Sequence, residues 1–253
     1  MSIAIGLPVN KMATPHNDKL AVLIDADNAQ ASIINELMAE VSRYGTATVK
    51  RAYGDWTTPN LRGWKEVLHK LAIQPMQQFS YTAGKNATDS SLIIDAMDLL
   101  HAGTVSGFCL VSSDSDFTRL ATRIREAGLV VYGFGEQKTP QPFVAACDKF
   151  IYTEILRAQG GGATPAPILT QEPGQTLESM LRTAVTATAR ENGWAALSTV
   201  GSMVMKNHSS FDPRNYGCQK LGELVRKQIY LEVKEVPVQD GSSNLHLFIR
   251  LKG

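Results

Sequence analysis

The chain has few cysteines and no long apolar run, and both absences narrow the classes of protein to which it can belong. Its 253 residues include three cysteines, Cys109, Cys147 and Cys218. Their odd number and wide spacing exclude a disulfide framework and a Cys-x-x-Cys metal or redox site. No apolar run approaches the roughly 18 residues of a membrane helix, and residues 1–19 lack the pattern of a signal peptide. We therefore expect a cytoplasmic protein with no membrane segment.

The chain also lacks a strong excess of charge of either sign. Charged residues make up 19% of it, and the formal net charge is +1. Residues 1–174 carry 15 basic and 17 acidic side chains, whereas residues 175–253 carry 10 and 7. Neither half is basic enough to predict nucleic-acid binding from charge alone. The hydrophobic content of 43% is typical of a folded globular protein.

A stretch rich in glycine and proline divides the chain into two predicted domains. It lies within residues 158–174 and reads as an interdomain linker, because hydrophobic periodicity stops there. Residues 18–157 and residues 175–253 are each of ordinary domain size. Residues 1–17 are predicted to be a flexible tail.

The two predicted domains differ in fold class. The first alternates short apolar strands, such as Lys19–Ile24 and Gly107–Ser112, with longer helical patterns, such as Ala29–Tyr44. This alternation predicts an α/β fold with a doubly wound, mainly parallel sheet covered by helices on both faces. The second has helical patterns followed by two strands, with Asp240-Gly241 as the hairpin turn between them. It is predicted to be a small winged-helix-type domain.

Acidic and other polar residues follow two of the predicted strands of the first domain. Asp25 ends the first apolar strand, and Asp114 and Asp116 follow the strand Gly107–Ser112. Asp89 lies at the start of the predicted helix Ser90–His101. Ligands of doubly wound sheets bind at the carboxyl ends of strands, where the strand order reverses. If the two strands are neighbours at that point, the four carboxylates converge.

The predicted cluster suggests a metal and a type of chemistry. Clustered carboxylates repel one another, so their pKa values rise unless a cation lies between them. Oxygen ligands without cysteine or histidine favour Mg²⁺ or Mn²⁺ over zinc. Such an ion activates water and binds a phosphoryl oxygen, which is the chemistry of phosphodiester hydrolysis.

A simpler interpretation exists for several of these residues. Asp, Asn and Ser between a strand and a helix are common N-caps, and Asp27, Asn28, Asp89 and Ser115 each fit that role individually. Asp25 differs, because a carboxylate that adjoins a buried strand is costly unless it is paired or bound to metal. Among basic residues, Lys85 precedes the acidic helix start and is the candidate to contact phosphate, with a solvated loop lysine as the alternative.

With these residues in view, the first domain resembles the NYN domain of LabA-like bacterial proteins, within the PIN-like nuclease group. The resemblance covers nearly all of residues 19–156 and is carried by Leu23–Asn28, Lys85–Asp98, Leu110–Phe117 and Ala146–Phe150. It implies a PIN-like doubly wound sheet and a metal-dependent ribonuclease.

The resemblance also implies roles for particular residues. Asp25, Asp89, Asp114 and Asp116 correspond to the acidic metal-binding set, with Asn28 and Ser113 as supporting polar groups. Asp95 matches a recurring second aspartate in the same helix. Helical geometry argues against that role, because Asp95 lies about 240° around the helix from Asp89.

The second domain is similar to the OST-HTH, or LOTUS, domain. The similarity covers about residues 175–251, and its features include Trp194–Leu197, Phe211-Asp212 and Tyr216–Leu221. It implies a targeting module that binds RNA or a protein partner. A phosphate-contacting face is predicted from basic and polar residues, namely Lys206, His208, Arg214, Asn215, Lys220, Arg226 and Lys227.

Two alternatives to an RNA-cleaving enzyme stay open at this point. Asp25-Ala26-Asp27 after an apolar strand imitates the nucleophile pair of a haloacid-dehalogenase-like phosphatase, although Asn28 departs from that pattern. Such an enzyme would form a phosphoryl-aspartate, whereas a PIN-like nuclease forms no covalent intermediate. The other alternative is a non-catalytic RNA-binding or scaffold protein that keeps the acidic pocket for folding or for metal alone. The sequence leaves the oligomeric state open.

Overall fold

The computed structural model describes residues 18–79, 87–160, 176–237 and 245–252, and it contains two folded regions. The first region contains six strands and six helices. They are β1 (Lys19–Asp25), α1 (Ile34–Val41), β2 (Thr46–Gly54), α2 (Trp64–Leu71), β3 (Gln74–Gln77), α3 (Ala87–Ala102), β4 (Gly107–Val111), α4 (Thr118–Glu126), β5 (Val130–Gly135), α5 (Gln141–Ala146), β6 (Lys149–Tyr152) and α6 (Thr153–Gly160).

The six strands form one fully parallel sheet in the order β3-β2-β1-β4-β5-β6. The chain runs outward from β1 through β2 to β3, crosses back through α3, and then runs outward in the other direction from β4. The strand order therefore reverses between β1 and β4, where Ile24 pairs with Val111. This confirms the predicted doubly wound α/β fold.

Strand β1 lies at the centre of the sheet and is buried on both faces. Leu20, Val22 and Ile24 pack into one hydrophobic cluster with residues of α1 and α2. Ala21 and Leu23 point the other way and pack into a second cluster with residues of α3, α4 and α5. This double burial explains why the strand reads as a continuous apolar run in the sequence.

The second region is a small helical domain with a three-stranded antiparallel sheet. Its elements are α7 (Leu177–Thr188), β7 (Ala195–Ala196), α8 (Leu197–Asn207), α9 (Leu221–Arg226), β8 (Leu231–Pro237) and β9 (Leu245–Leu251), with the sheet order β7-β9-β8. A separate hydrophobic cluster holds the helices on one face of this sheet. The helices followed by a two-stranded wing agree with the predicted winged-helix type.

The two regions are in direct contact at one edge of the large sheet. The backbone N–H of Phe150, in edge strand β6, donates to the carbonyl of Ser209 at 2.8 Å. The Ser209 hydroxyl donates to the carbonyl of Val144 at 2.7 Å. Arg214 of the second region reaches Glu40 at the end of α1, with Nη1 at 2.9 Å from Oε2. The loop between α8 and α9 thus covers an otherwise unpaired strand edge.

Two short strands were not predicted, and some predictions lie outside the described residues. Strands β6 and β7 have four and two residues, too short for a clear alternation pattern. Helix α6 runs to Gly160, three residues beyond the predicted end of the first domain. The predicted tail at residues 1–17 and the Asp240-Gly241 turn lie outside the described residues.

Among the described residues, we find no helix that is both long and apolar enough to cross a membrane.

Candidate metal centre

The acidic residues lie where the strand order of the large sheet reverses. Asp25 is the last residue of β1, and the segment that carries Asp114 and Asp116 follows β4, the neighbouring strand. Asp89 lies in the first turn of α3, the helix that leads into β4. The parallel sheet therefore delivers both strand ends to the same edge, which is where ligands of this sheet type bind.

Three of the four predicted carboxylates form a compact group. Asp89, Asp114 and Asp116 each place one carboxylate oxygen so that the three atoms lie within 4.8 Å of one another. Asp89 and Asp114 are partly buried, and Asp116 is exposed. Oxygen ligands at this spacing suit a hard divalent cation.

Asp25 lies under this group and is held by its neighbours. Its side chain is 1% exposed. Oδ2 accepts hydrogen bonds from Asn28 Nδ2 at 2.7 Å and from the Ser112 hydroxyl at 2.7 Å, and Oδ1 accepts from the Asn28 backbone at 3.3 Å. Burial raises the pKa of Asp25, and these hydrogen bonds partly offset the rise. Asp25 is thus fixed in position and is not one of the three acids within 4.8 Å.

Burial and repulsion between aspartates dominate the electrostatics at Asp89. Burial is the largest cause that raises the pKa of Asp89, and together with the charges of Asp25, Asp114, Asp116 and Asp27 it brings that pKa to about 6. Repulsion of this kind disappears when a cation lies among the carboxylates. The raised pKa fits a bound cation of any kind, and the oxygen-only donor set is typical of hard divalent ions, whereas zinc favours nitrogen and sulfur ligands.

The polar neighbours have distinct tasks. Asn28 donates hydrogen bonds to Asp25 from its side chain and from its backbone. The Ser113 hydroxyl instead accepts a hydrogen bond from the backbone N–H of Glu136 at 2.8 Å. The side chain of Asp114 accepts from the backbone N–H of Asp116 at 2.9 Å, so it caps the short turn that follows. Asp114, which was not among the predicted N-caps, thus caps this turn and also belongs to the acidic group.

Asp95 belongs to a different contact. Its carboxylate accepts hydrogen bonds from Arg51 Nη1 at 2.9 Å and from the Tyr53 hydroxyl at 2.8 Å. Tyr53 is fully buried in the core. Asp95 therefore joins α3 to β2, in agreement with the helical geometry rather than with a role as a metal ligand.

One residue of the predicted phosphate-contacting face of the second domain, Arg214, is buried in the structure. Arg214 is 6% exposed, and its guanidinium contacts Asp212 and Glu40. Because a buried, paired guanidinium does not reach solvent, Arg214 is a structural residue and not a phosphate contact. Lys206 and Lys220 are exposed at the surface, and Lys85 lies outside the described residues.

Ser112 is a site residue that the sequence analysis did not single out. It is 3% exposed, and its hydroxyl donates to Asp25 while accepting from the backbone N–H of Asp114 at 3.1 Å. It thus connects the ends of the two strands. The available signal was its position directly after a five-residue buried strand, where an isolated polar residue needs a partner.

Two family models match the chain. The NYN domain model matches residues 19–156, more than half of the chain, and includes every residue of the acidic group. The OST-HTH/LOTUS domain model matches residues 170–240. The order of the two domains is the one predicted from the sequence. No curated protein matches the chain.

Solved structures similar to parts of the chain include three bacterial proteins. One from Vibrio parahaemolyticus is 22% identical, with 55% of this chain and 94% of that chain covered and a TM-score of 0.47. One from Nitrosomonas europaea is 29% identical, with 36% and 88% covered and a TM-score of 0.27. One from Chromobacterium violaceum is 43% identical, with 34% and 87% covered and a TM-score of 0.25. The classification of the chain therefore rests on the family models.

Proposed function

Because the chain belongs to the NYN domain family through residues 19–156, a PIN-like nuclease family, we propose that it is a metal-dependent ribonuclease that hydrolyses RNA phosphodiesters. The observation that carries the proposal is the group of three carboxylates within 4.8 Å at the point where the strand order reverses. The C-terminal OST-HTH/LOTUS domain is proposed to target the enzyme to RNA, with a protein partner as the alternative.

In this proposal Asp89, Asp114 and Asp116 hold Mg²⁺ or Mn²⁺. The bound ion supplies positive charge for a phosphoryl oxygen and acidifies water. Asp25 adds negative charge beneath the group and is kept in place by Asn28 and Ser112. The backbone of Asp114, fixed by Ser112, sets the direction in which the Asp114 carboxylate faces.

The surroundings of Asp25 argue against the phosphatase alternative. A nucleophilic carboxylate needs an oxygen that can approach phosphorus. Asp25 is 1% exposed, and both of its oxygens accept hydrogen bonds from within the fold. We therefore assign it a positioning role next to the metal ligands.

The three free cysteines are all buried, which is compatible with the proposed reducing, cytoplasmic location.

The proposal is tested by incubating mixed single-stranded and structured RNAs with the full chain in Mn²⁺, Mg²⁺ or EDTA. We expect cleavage in the divalent cation and none in EDTA. Asp114→Asn and Asp25→Asn should each lower the rate by about a hundredfold or more, since even partners of metal ligands contribute about 10–100-fold. The matched control is Asp98→Asn, because Asp98 is an exposed aspartate on α3, the helix that also carries Asp89.

Three results would contradict the proposal. Equal loss of activity in Asp98→Asn would mean that the loss is not specific to the acidic group. A phosphoryl group trapped on Asp25 would identify a phosphatase. RNA binding without cleavage in any divalent cation would identify a non-catalytic RNA-binding protein.

A further inference from the structure

The outer face of the three-stranded sheet in the second domain carries aromatic and basic side chains. Along β8 and β9, Leu231, Val233 and Ile249 belong to the hydrophobic cluster shared with the helices. The alternate positions point away from that cluster. Lys234 pairs with Phe248 across the two strands, and both occupy the outward positions. This face therefore differs from an ordinary solvated face, since it carries a half-buried aromatic ring.

A second aromatic ring is placed beside this face by a tight turn before β7. The turn is closed by two backbone hydrogen bonds, from Gly193 to Arg190 at 2.8 Å and from Arg190 to Trp194 at 3.0 Å. Gly193 has φ of 80°, in the left-handed region that favours glycine. The half-buried indole of Trp194 is thereby held next to the side chains of Lys234 and Arg250.

Three cationic groups surround the two rings. The guanidinium of Arg250 lies 4.7 Å from the ring centre of Trp194, and Lys234 Nζ lies 5.9 Å from the same ring. The guanidinium of Arg190 lies 6.0 Å from the ring centre of Phe248. The carboxylate of Glu232 pairs with Arg250, so the face keeps a net positive charge from Arg190 and Lys234. Both of these residues are exposed.

We infer that this face, formed by Arg190, Trp194, Lys234, Phe248 and Arg250, binds single-stranded RNA through base stacking and phosphate contacts. Unpaired bases stack on aromatic rings and on the flat faces of guanidinium groups, while cations beside the rings contact the backbone. A duplex hides its base faces, so it cannot use the rings. The inference deepens the proposed function by naming the RNA-binding surface, and it rests on RNA being the substrate class.

The face also differs from the one predicted from the sequence. Lys220 precedes α9 and Lys227 follows it, and α9 packs on the helical side of the sheet. These two exposed lysines therefore provide a matched control in the same domain. They allow a local effect of the outer face to be separated from a general effect of charge.

The first test measures binding of a short fluorescent single-stranded RNA by the full chain, with Asp114→Asn and EDTA present so that no cleavage occurs. The double variant Arg190→Glu/Lys234→Glu should weaken binding about tenfold or more at low salt. Lys220→Glu/Lys227→Glu carries the same change in charge and should weaken it less than about threefold. Equal effects of the two double variants would overturn the inference.

The second test removes ring stacking without changing charge. Phe248→Leu and Trp194→Leu keep an apolar side chain, and each should weaken single-stranded RNA binding about fivefold or more while leaving duplex binding unchanged. Unfolding curves of both variants establish that the domain still folds. Photocrosslinking of RNA containing 5-bromouracil should label the peptide that carries Trp194. Unchanged RNA affinity in both variants would overturn the inference and leave the face to a protein partner.

These results are separable from the proposed catalysis. Binding is measured without a divalent cation, whereas cleavage is measured with Mn²⁺ in a chain whose acidic group is intact. Loss of cleavage in Asp25→Asn with unchanged binding would leave the outer face as the RNA surface. Cleavage that persists when the face no longer binds would leave the acidic group as the catalytic site.

Discussion

Two buried carboxylates in this molecule are held in opposite ways. Glu40, at the end of α1, is 3% exposed, and Asp25, at the end of β1, is 1% exposed. Burial raises the pKa of Glu40, but hydrogen bonds from Arg214 and Tyr44 outweigh it and bring that pKa down to about 2. For Asp25, burial raises the pKa, and the neutral Asn28 and Ser112 offset this only in part.

The difference lies in what surrounds each carboxylate. Glu40 receives two hydrogen bonds from the Arg214 guanidinium, from Nη1 and Nη2, each at 2.9 Å. Among the described residues, Asp25 accepts its side-chain hydrogen bonds from Asn28 and Ser112 and from no cation, and Asp89 is repelled by four neighbouring aspartates, Asp25, Asp27, Asp114 and Asp116. A buried carboxylate with its own guanidinium holds the fold together, whereas carboxylates that repel one another leave a place for a metal ion.

The largest expected effect comes from removing the guanidinium of Arg214, which pairs with Glu40 and Asp212. Arg214→Met removes the buried guanidinium from Glu40 and Asp212 and leaves them only the contacts with the more exposed Arg43 and Lys149. Breaking a buried pair in this way costs about 3–5 kcal/mol. Denaturant unfolding of the full chain measures this loss as a shift in the free energy of unfolding.

Arg43→Met is the control for that experiment. Arg43 also pairs with Glu40, at 3.1 Å, but its side chain is 63% exposed. An exposed pair contributes about 0–1 kcal/mol, so we expect a small loss. Equal losses in the two variants would mean that the contact between the domains is not held by buried charge, and the contrast with the acidic group would fail.

The pair of Arg214 and Glu40 also shows what could not be predicted from the sequence. The doubly wound sheet was predictable because β1 and β4 are continuous apolar runs followed by polar residues. Their convergence followed from the topology. Arg214 was predicted to contact phosphate, and nothing in its local sequence distinguishes it from an exposed arginine. Its partner Glu40 lies 174 residues away, so only the packing of the two domains reveals the pair.

The acidic group was predictable to a similar depth. Residue types and strand ends indicated Asp25, Asp89, Asp114 and Asp116 as neighbours. The separation into three acids within 4.8 Å and one held beneath them depends on side-chain geometry, which a sequence pattern does not contain. The same holds for Ser113, whose hydroxyl faces the backbone of Glu136, and for Ser112, which connects the two strand ends.

A smaller effect is expected from relieving the repulsion between Asp89 and the other aspartates of the acidic group. The folded-state pKa of Asp89 is about 6, above its ordinary value of 3.8, so ionisation of Asp89 destabilises the metal-free fold. Asp89→Asn should therefore stabilise the protein in EDTA at pH 7 by about 1 kcal/mol, after allowance for solvent screening and for the helix dipole that favours an acid at this position. Urea unfolding in EDTA measures the difference.

The pH dependence gives the sign of the same effect. As the pH falls from 7 through 6 towards 4, Asp89 takes up a proton more readily in the folded state than in the unfolded state, so the destabilisation that its charge causes is lost. The advantage of Asp89→Asn should shrink over this range, and Asp98→Asn should show no such trend. A variant that is less stable than the wild type at pH 7 would contradict the assignment of repulsion to this group.

The smallest expected effect is the stabilisation that a divalent cation gives to the metal-free protein. A ligand that binds only the folded state at a concentration equal to its dissociation constant adds about 0.4 kcal/mol, which raises the melting temperature by about 1 °C in a protein of this size. Mn²⁺ and Mg²⁺ should raise the melting temperature of the wild type progressively with concentration. Asp114→Asn, which removes one of the three carboxylate charges, should need a higher concentration for the same rise.

Arg214→Lys is the control, because it changes the ion pairs with Glu40 and Asp212, which are not part of the acidic group. It should leave the response to Mn²⁺ unchanged. An equal response in wild type and Asp114→Asn would mean that the cation binds elsewhere. The acidic group would then not be a metal site, and its contrast with Glu40 would have no functional meaning.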